Sequence, residues 1–259
     1  MATTPIFAPE ALHNRAVTAL RGDGVLSFLH NILTCNVERL AEGQIAYGAL
    51  LSPQGKILHD IFVHHVGDAV LVDGDAAARD DLMAKLKLYR LRAKFEITAR
   101  DDVEVVAGAG SAPDPRHPAL GLRGIFEKAT HRPGHAYDDA RYALGIADSA
   151  EIGSNRLFPH EANFDQFAAV DFKKGCYIGQ EVVSRMQHRG TARSRILPVT
   201  FSDDHPAGEI RVGDALLGEV LGKRGRAALA LLRLDRLAEA RALPFTFHKP
   251  DWATFEVTA

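Results

Sequence analysis

The stretch Lys173-Lys174-Gly175-Cys176-Tyr177-Ile178-Gly179-Gln180-Glu181 places one cysteine among cations and glycines. Just before it, Ala169-Val170-Asp171-Phe172 reads as a short strand. Ile178, Val182 and Met186 follow at i, i+4 and i+8, the spacing of one apolar helix face. The pattern predicts a strand-to-helix turn with Cys176 at or just before the first helical turn. Unpaired backbone N–H groups and the positive end of the helix dipole favour a thiolate there. A terminal dipole is worth about 0.3–1 kcal/mol, a modest activation to which Lys173 and Lys174 add, and one suited to ligation or exchange. Free cysteines more often pack as small apolar groups. Two preceding lysines and two flanking glycines are a poor environment for that.

The chain has 259 residues, 46% hydrophobic and 25% charged, the composition of a soluble globular protein. That length holds one large domain or two to three smaller ones. Its two cysteines, Cys35 and Cys176, give no disulfide framework and no zinc spacing, so a reducing, cytoplasmic compartment is expected. A formal charge of −2 argues against direct nucleic-acid binding and against attraction to anionic membrane. No apolar run approaches the roughly 20 residues of a membrane span, and residues 1–14 carry neither a secretory nor a transit pattern.

Around the motif, residues 24–33 are expected to form a helix, with Asp23 as N-cap and Val25, Phe28, Leu29 and Ile32 as its apolar stripe. Residues 45–51 and 56–63 read as two strands joined by Ser52-Pro53-Gln54-Gly55. A strand at 69–72, a helix at 76–89 and strands at 94–98 and 103–107 follow. Strands, one long helix and strands again point to α+β rather than a doubly wound sheet. Residues 108–118, rich in Gly, Ala, Pro and Asp, read as a surface loop or boundary. A helix is expected at 137–144, ending at Gly145, and short strands at 196–201, 209–212 and 215–220. Residues 227–240 are readable as strand or helix. His64-His65 in a strand point to opposite faces and cannot chelate one ion together.

The segment from Lys174 to Glu181 resembles the signature of the YgfZ-type folate-binding proteins, relatives of the aminomethyltransferase of the glycine cleavage system that act in iron-sulfur protein assembly or maintenance. Mitochondrial iron-sulfur assembly factors share the motif. Further blocks resemble the family in the same order: Phe28-Leu29 through Leu33-Thr34, Leu51 to Lys56, Tyr89 to Lys94, Pro159 to Asn163, and Arg189-Gly190. The resemblance implies an α+β, three-domain, aminomethyltransferase-like ring with a ferredoxin-like unit and a C-terminal β-barrel. On that basis residues 1–44 and 109–194 form a discontinuous folate-binding core with the cysteine motif, 45–108 the ferredoxin-like unit, and 195–259 the barrel.

What it implies for function is a folate-binding accessory factor for iron-sulfur cluster assembly or repair. Its ligands would be tetrahydrofolate or a derivative and a transient iron-sulfur cluster, and its partners iron-sulfur carrier or client proteins. Effects on tRNA modification would be indirect, through cluster-bearing enzymes. One cysteine cannot supply the usual four ligands of a cluster, so Cys176 is expected to hold one only with a partner. Lys174 is readable as orienting the turn or as meeting an anion, the thiolate included. Glu161 and Asn163 suit the amidine and carbonyl edges of a pterin, though Asn163 suits a turn equally. Arg90, Arg92 and Lys94 are candidates for the folate glutamate tail, or for a solvated strand edge. Gln180 and Asn36 complete the expected cofactor contacts. Asn36 stands where the family commonly has an acid, and an amide cannot act as a general base. That weighs against the alternative, a folate-dependent aminomethyl or one-carbon transferase.

Overall fold

The two alternating runs around Ser52–Gly55 fold as an antiparallel hairpin, Ile45–Leu51 with Ile57–Val66. In the computed structural model, described over residues 7–190, 192–202, 207–237, 243 and 245–257, this hairpin edges a five-stranded antiparallel sheet. Its order is Ile45–Leu51, Ile57–Val66, Ala69–Asp75, Arg15–Arg21, Glu96–Arg100. Helices α1 (Val25–Ile32) and α2 (Arg79–Arg90) bury Leu29, Ile32, Leu82 and Leu86 against Ile61, Val63 and Phe95 of this unit.

Glu10–Ala11, Val103–Pro113 and Leu122–Glu127 make a three-stranded sheet, followed by helices α3 (Ala136–Leu144) and α4 (Ser149–Ile152). Helix α5 (Gln180–Arg189) leads into a second five-stranded sheet. There the order is Gly208–Val212, Ala215–Arg224, Ala227–Arg233, Ser194–Phe201, Phe245–Phe247, with a separate core that includes Leu197, Phe201, Leu217 and Leu232.

Several expectations are corrected. Strand Arg15–Arg21 lies inside the first sheet, between Ala69–Asp75 and Glu96–Arg100, so this sheet draws on both sides of the expected boundary at residue 44. The segment 108–118 is not a loop throughout. The strand runs on to Pro113 through a register shift between Ala107 and Ala112. Small residues that read as loop by composition here let two strands approach closely, with Gly110 at φ 145° against the Arg123 backbone. The first helix begins after Gly24, in a left-handed conformation, without a cap from Asp23. Residues 227–240 divide into the strand Ala227–Arg233 and a helical turn, Leu234–Leu237. Residues 238–240 lie outside the described residues, as do residues 1–6 of the segment read for a leader.

A buried ionic network joins the first sheet to the three-stranded sheet and α4. Asp73 accepts from Arg15 Nε at 2.7 Å and from Arg123 Nε at 2.8 Å. Arg15 also reaches Asp148 at 2.9 Å. Arg116 and the Tyr137 hydroxyl both donate to Asp114 Oδ2 at 2.9 Å. Burial opposes the charge on Asp73, but Arg123 and Arg15 outweigh it and hold the carboxyl well below its ordinary range.

Candidate functional site

Cys176 is exposed and Cys35 is buried, and both thiols are free. Burial pushes the Cys35 thiol up to about 12, which makes it a packing group. Residues 169–172 form no strand, and α5 starts at Gln180 after Gly179. Cys176 therefore sits four residues before the helix, not in its first turn. The loop that carries it is fixed by side chains and by close backbone packing.

At its start, Asp171 accepts backbone N–H groups from Lys173 (2.8 Å) and Lys174 (3.2 Å), and Asn36 Nδ2 at 3.0 Å. Burial opposes its charge, yet these hydrogen bonds and the nearby Lys174 hold the carboxyl below its ordinary value. Lys174 Nζ donates to the carbonyls of His30, Leu33 (2.6 Å) and Cys35 (3.0 Å). These lie at the C-terminal end of α1, where carbonyls lack intrahelical partners and a cation is favoured. Burial lowers the Lys174 ammonium to about 8. All three of its hydrogens are engaged, so Lys174 orients the loop and is not aimed at the thiol.

At the other end, Gly179 has φ 79°, and a Cβ there would come within 2.6 Å of the Ser52 carbonyl oxygen and 2.9 Å of Gly55 Cα. A Cβ on Gly55 would in turn press on Val182. The hairpin turn and the cysteine motif interlock through these two glycines. Gly175, by contrast, faces open space. The Tyr177 ring is buried, and its hydroxyl has no hydrogen-bond partner among the described residues.

Beside the loop lies a cleft of about 530 Å³ whose lining includes Asn36, Tyr47, Phe167, Asp171, Phe172 and Lys173. Its size and mixed aromatic and polar lining suit a small organic ligand. Of the expected cofactor contacts, Asn36 alone lines it. Glu161 instead accepts from Phe158 N at 2.9 Å, and burial raises its carboxyl. Asn163, at φ 62°, donates to the Ile196 carbonyl at 2.8 Å and is buried, the turn reading of this residue. Arg90 donates to the Phe95 carbonyl at 2.7 Å, and Arg92 is exposed. Gln180 accepts weakly from Tyr177 N at 3.4 Å, within the motif itself. Sequence reading missed Asp171, Tyr47 and Phe167. Only Asp171 had a signal, as an acid three residues before Lys174.

Comparisons with known proteins agree with this architecture. Residues 193–255 match the model of the CAF17 C-terminal beta-barrel domain. The chain is 33% identical to the mitochondrial iron-sulfur cluster assembly factor IBA57 homolog of Chaetomium globosum, over 81% of this chain and 59% of that protein. The corresponding homolog of Pyricularia oryzae is also 33% identical, over 77% and 59%. The chain thus spans about three fifths of these relatives' length. Among solved structures, the glycine cleavage system aminomethyltransferase T from Bartonella henselae superposes with a TM-score of 0.69 at 15% identity, covering 88% of this chain and 78% of that one. The fold is therefore of the aminomethyltransferase T type, mixed α+β and mostly sheet, with a C-terminal β-barrel domain.

The cytoplasmic location expected from cysteine usage is corrected. These relatives are named mitochondrial, which points to mitochondria instead. Two unpaired cysteines indicate a reducing compartment without saying which one. No helix among the described residues is long and apolar enough to cross a membrane.

Proposed function

We propose that this chain, a relative of the IBA57 homologues with an aminomethyltransferase-type fold, is a folate-binding accessory factor in iron-sulfur cluster assembly. Cys176 lends its thiolate to a cluster shared with a carrier or client protein. The observation that carries the reading is the presentation of this thiol. It is exposed on a loop whose flanks are fixed by Lys174 on α1 and by Gly179 on the 52–56 turn. An exposed, held thiolate is what a bridging cluster requires of one of two partners.

The cleft fits a reduced pterin. Tyr47, Phe167 and Phe172 offer apolar faces, and the Asp171 carboxylate and Asn36 amide offer the acceptor and donor that an amidine and carbonyl edge need. Tetrahydrofolate bound there would supply a one-carbon acceptor or a structural plug beside the loop. Asp171 holds Asn36 and the start of the cysteine loop together, so occupancy of the cleft and the position of the thiol are linked through one carboxylate.

Mixing the protein with a carrier loaded with a [2Fe–2S] cluster and recording visible circular dichroism tests this. The expected result is a new spectrum of a shared cluster in wild type and none in Cys176→Ser, with tetrahydrofolate titrating equally in both. A shared cluster formed by Cys176→Ser sinks the proposal. Loss of folate and cluster together assigns the motif to structure alone.

One observation favours the second reading, a one-carbon transferase: the ionised Asp171 lies in the cleft beside Asn36. Production of methylene-folate from tetrahydrofolate and a lipoyl-linked aminomethyl donor at enzyme-like rates would establish it.

A further inference from the structure

Residues 85–94, Lys-Leu-Lys-Leu-Tyr-Arg-Leu-Arg-Ala-Lys, hold five cations and no carboxylate in a chain of net charge −2. They form the end of α2 and the turn after it. Leu88 and Leu91 of this segment are 68% and 84% exposed, the two most exposed large apolar side chains among the described residues. Leu91 is also in a conformation that leucine rarely adopts, φ 52° and ψ −111°. Ala93 N donates to the Arg90 carbonyl at 3.0 Å, so Leu91 occupies the first central position of a type II′ turn. That position belongs to glycine. A strained backbone that delivers an apolar side chain to solvent, flanked by exposed Lys87, Arg92 and Lys94, has no counterpart in the packing of the fold. These three cations have no ion-pair partner among the described residues.

The corner shares its support with the cysteine loop. Arg90 donates to the Phe95 carbonyl, and the Phe95 ring packs on Phe28 of α1 with centroids 5.0 Å apart. Two residues beyond Phe28, the His30 carbonyl receives Lys174. The corner and the loop thus rest on one two-turn helix about 12 Å long.

We infer that the 85–94 corner, led by Leu91, is the docking surface for an acidic, cluster-bearing protein, with Leu91 entering an apolar pocket and Lys87, Arg92 and Lys94 meeting carboxylates. The proposal rests on the function proposed above for Cys176, and it assigns the basic segment to a protein rather than to a folate glutamate tail. Charge steers the encounter and the buried leucine sets residence.

Leu91→Gly is the decisive variant, because glycine accepts the turn that strains leucine. The probe is an acidic monothiol glutaredoxin carrying a bridging [2Fe–2S] cluster, titrated calorimetrically at 50 and 300 mM salt. Wild type is expected to bind it with strong salt dependence. Leu91→Gly is expected to bind at least tenfold more weakly while its melting temperature is unchanged or higher. Cys176→Ser is expected to dock as wild type does but to share no cluster. Absence of wild-type binding at 50 mM salt, or equal binding by Leu91→Gly, overturns the docking surface and leaves the role of Cys176 standing. Docking that survives while Cys176→Ser still shares the cluster overturns the role of Cys176 instead. Displacement of the probe by free pentaglutamate, with no effect of Leu91→Gly, returns the cations to the folate tail.

Discussion

The ionic network around Asp73 and the loop around Cys176 are both built from charged side chains, yet they are opposite kinds of structure. In the network Arg15, Arg123, Asp73 and Asp148 are almost wholly removed from water and pair with one another across segments 50 to 133 residues apart. In the loop the charges are half-buried or exposed and bond to backbone groups, Lys174 to three carbonyls and Asp171 to two N–H groups. The first arrangement holds sheets together. The second fixes a loop while leaving its thiol in solvent, so disturbing each should have different consequences.

The largest effect is expected from Asp73→Ala, which removes the carboxylate that Arg15 and Arg123 share and leaves buried Arg123 with Asp114 only at 3.7 Å, while Arg15 keeps Asp148. Breaking a buried pair costs about 3–5 kcal/mol, and the chain should melt many degrees lower, or fail to fold, by thermal denaturation. Acid should act on the same region next. The carboxyls of Asp73 and Asp148 are held below 3.8 by their arginines, against the cost of burial. Groups depressed on folding contribute fully above their unfolded value and lose that contribution as pH falls through the folded one. The carboxylate contribution to the urea midpoint is therefore expected to be lost below about pH 4. An earlier, smaller fall begins near pH 6.5, because burial holds the His64 imidazole, 3.7 Å from Asp73, below its ordinary value of 6.5 and unfolding lets it take up a proton. Burial raises Asp60, which runs in the opposite sense and offsets part of the drop. A midpoint that stays flat from pH 7 to below about pH 4 would place the acid sensitivity elsewhere. The smallest effect belongs to Lys174→Met, which keeps the stem and removes the tether. Hydrated carbonyls replace part of the loss, so a cost of about 1–2 kcal/mol is expected. Amide hydrogen exchange should quicken about tenfold across residues 172–178 and stay unchanged around Asp73. Equal quickening at both places would mean that the loop and the network are one cooperative unit.

The same contrast explains what could be read from the chain. The hairpin at 45–66, helix α1, and α3 with its stop at Gly145 follow from local periodicity and turn residues, and all three stand in the structure. The cysteine motif was legible because its unusual residues are contiguous. Strand Arg15–Arg21 was invisible because it opens with an arginine, which reads as surface, and because its partner Asp73 lies 58 residues away. Asp171 escaped for a related reason. Its value lies in Asn36, 135 residues earlier, and no spacing rule links them. The shift of α5 to Gln180 is of another kind. Of the expected face, Ile178 precedes the helix and Val182 and Met186 are half-buried, while the fully buried position is Val183, because Gly179 adopts the left-handed conformation and delays the helix.

The contact between Gly55 and Gly179 has a consequence for anyone moving this motif between scaffolds. A cysteine loop transplanted alone arrives without the matching notch and collides with whatever side chain occupies the recipient's turn. The 52–56 turn and the 173–181 loop are inherited, or engineered, as a pair.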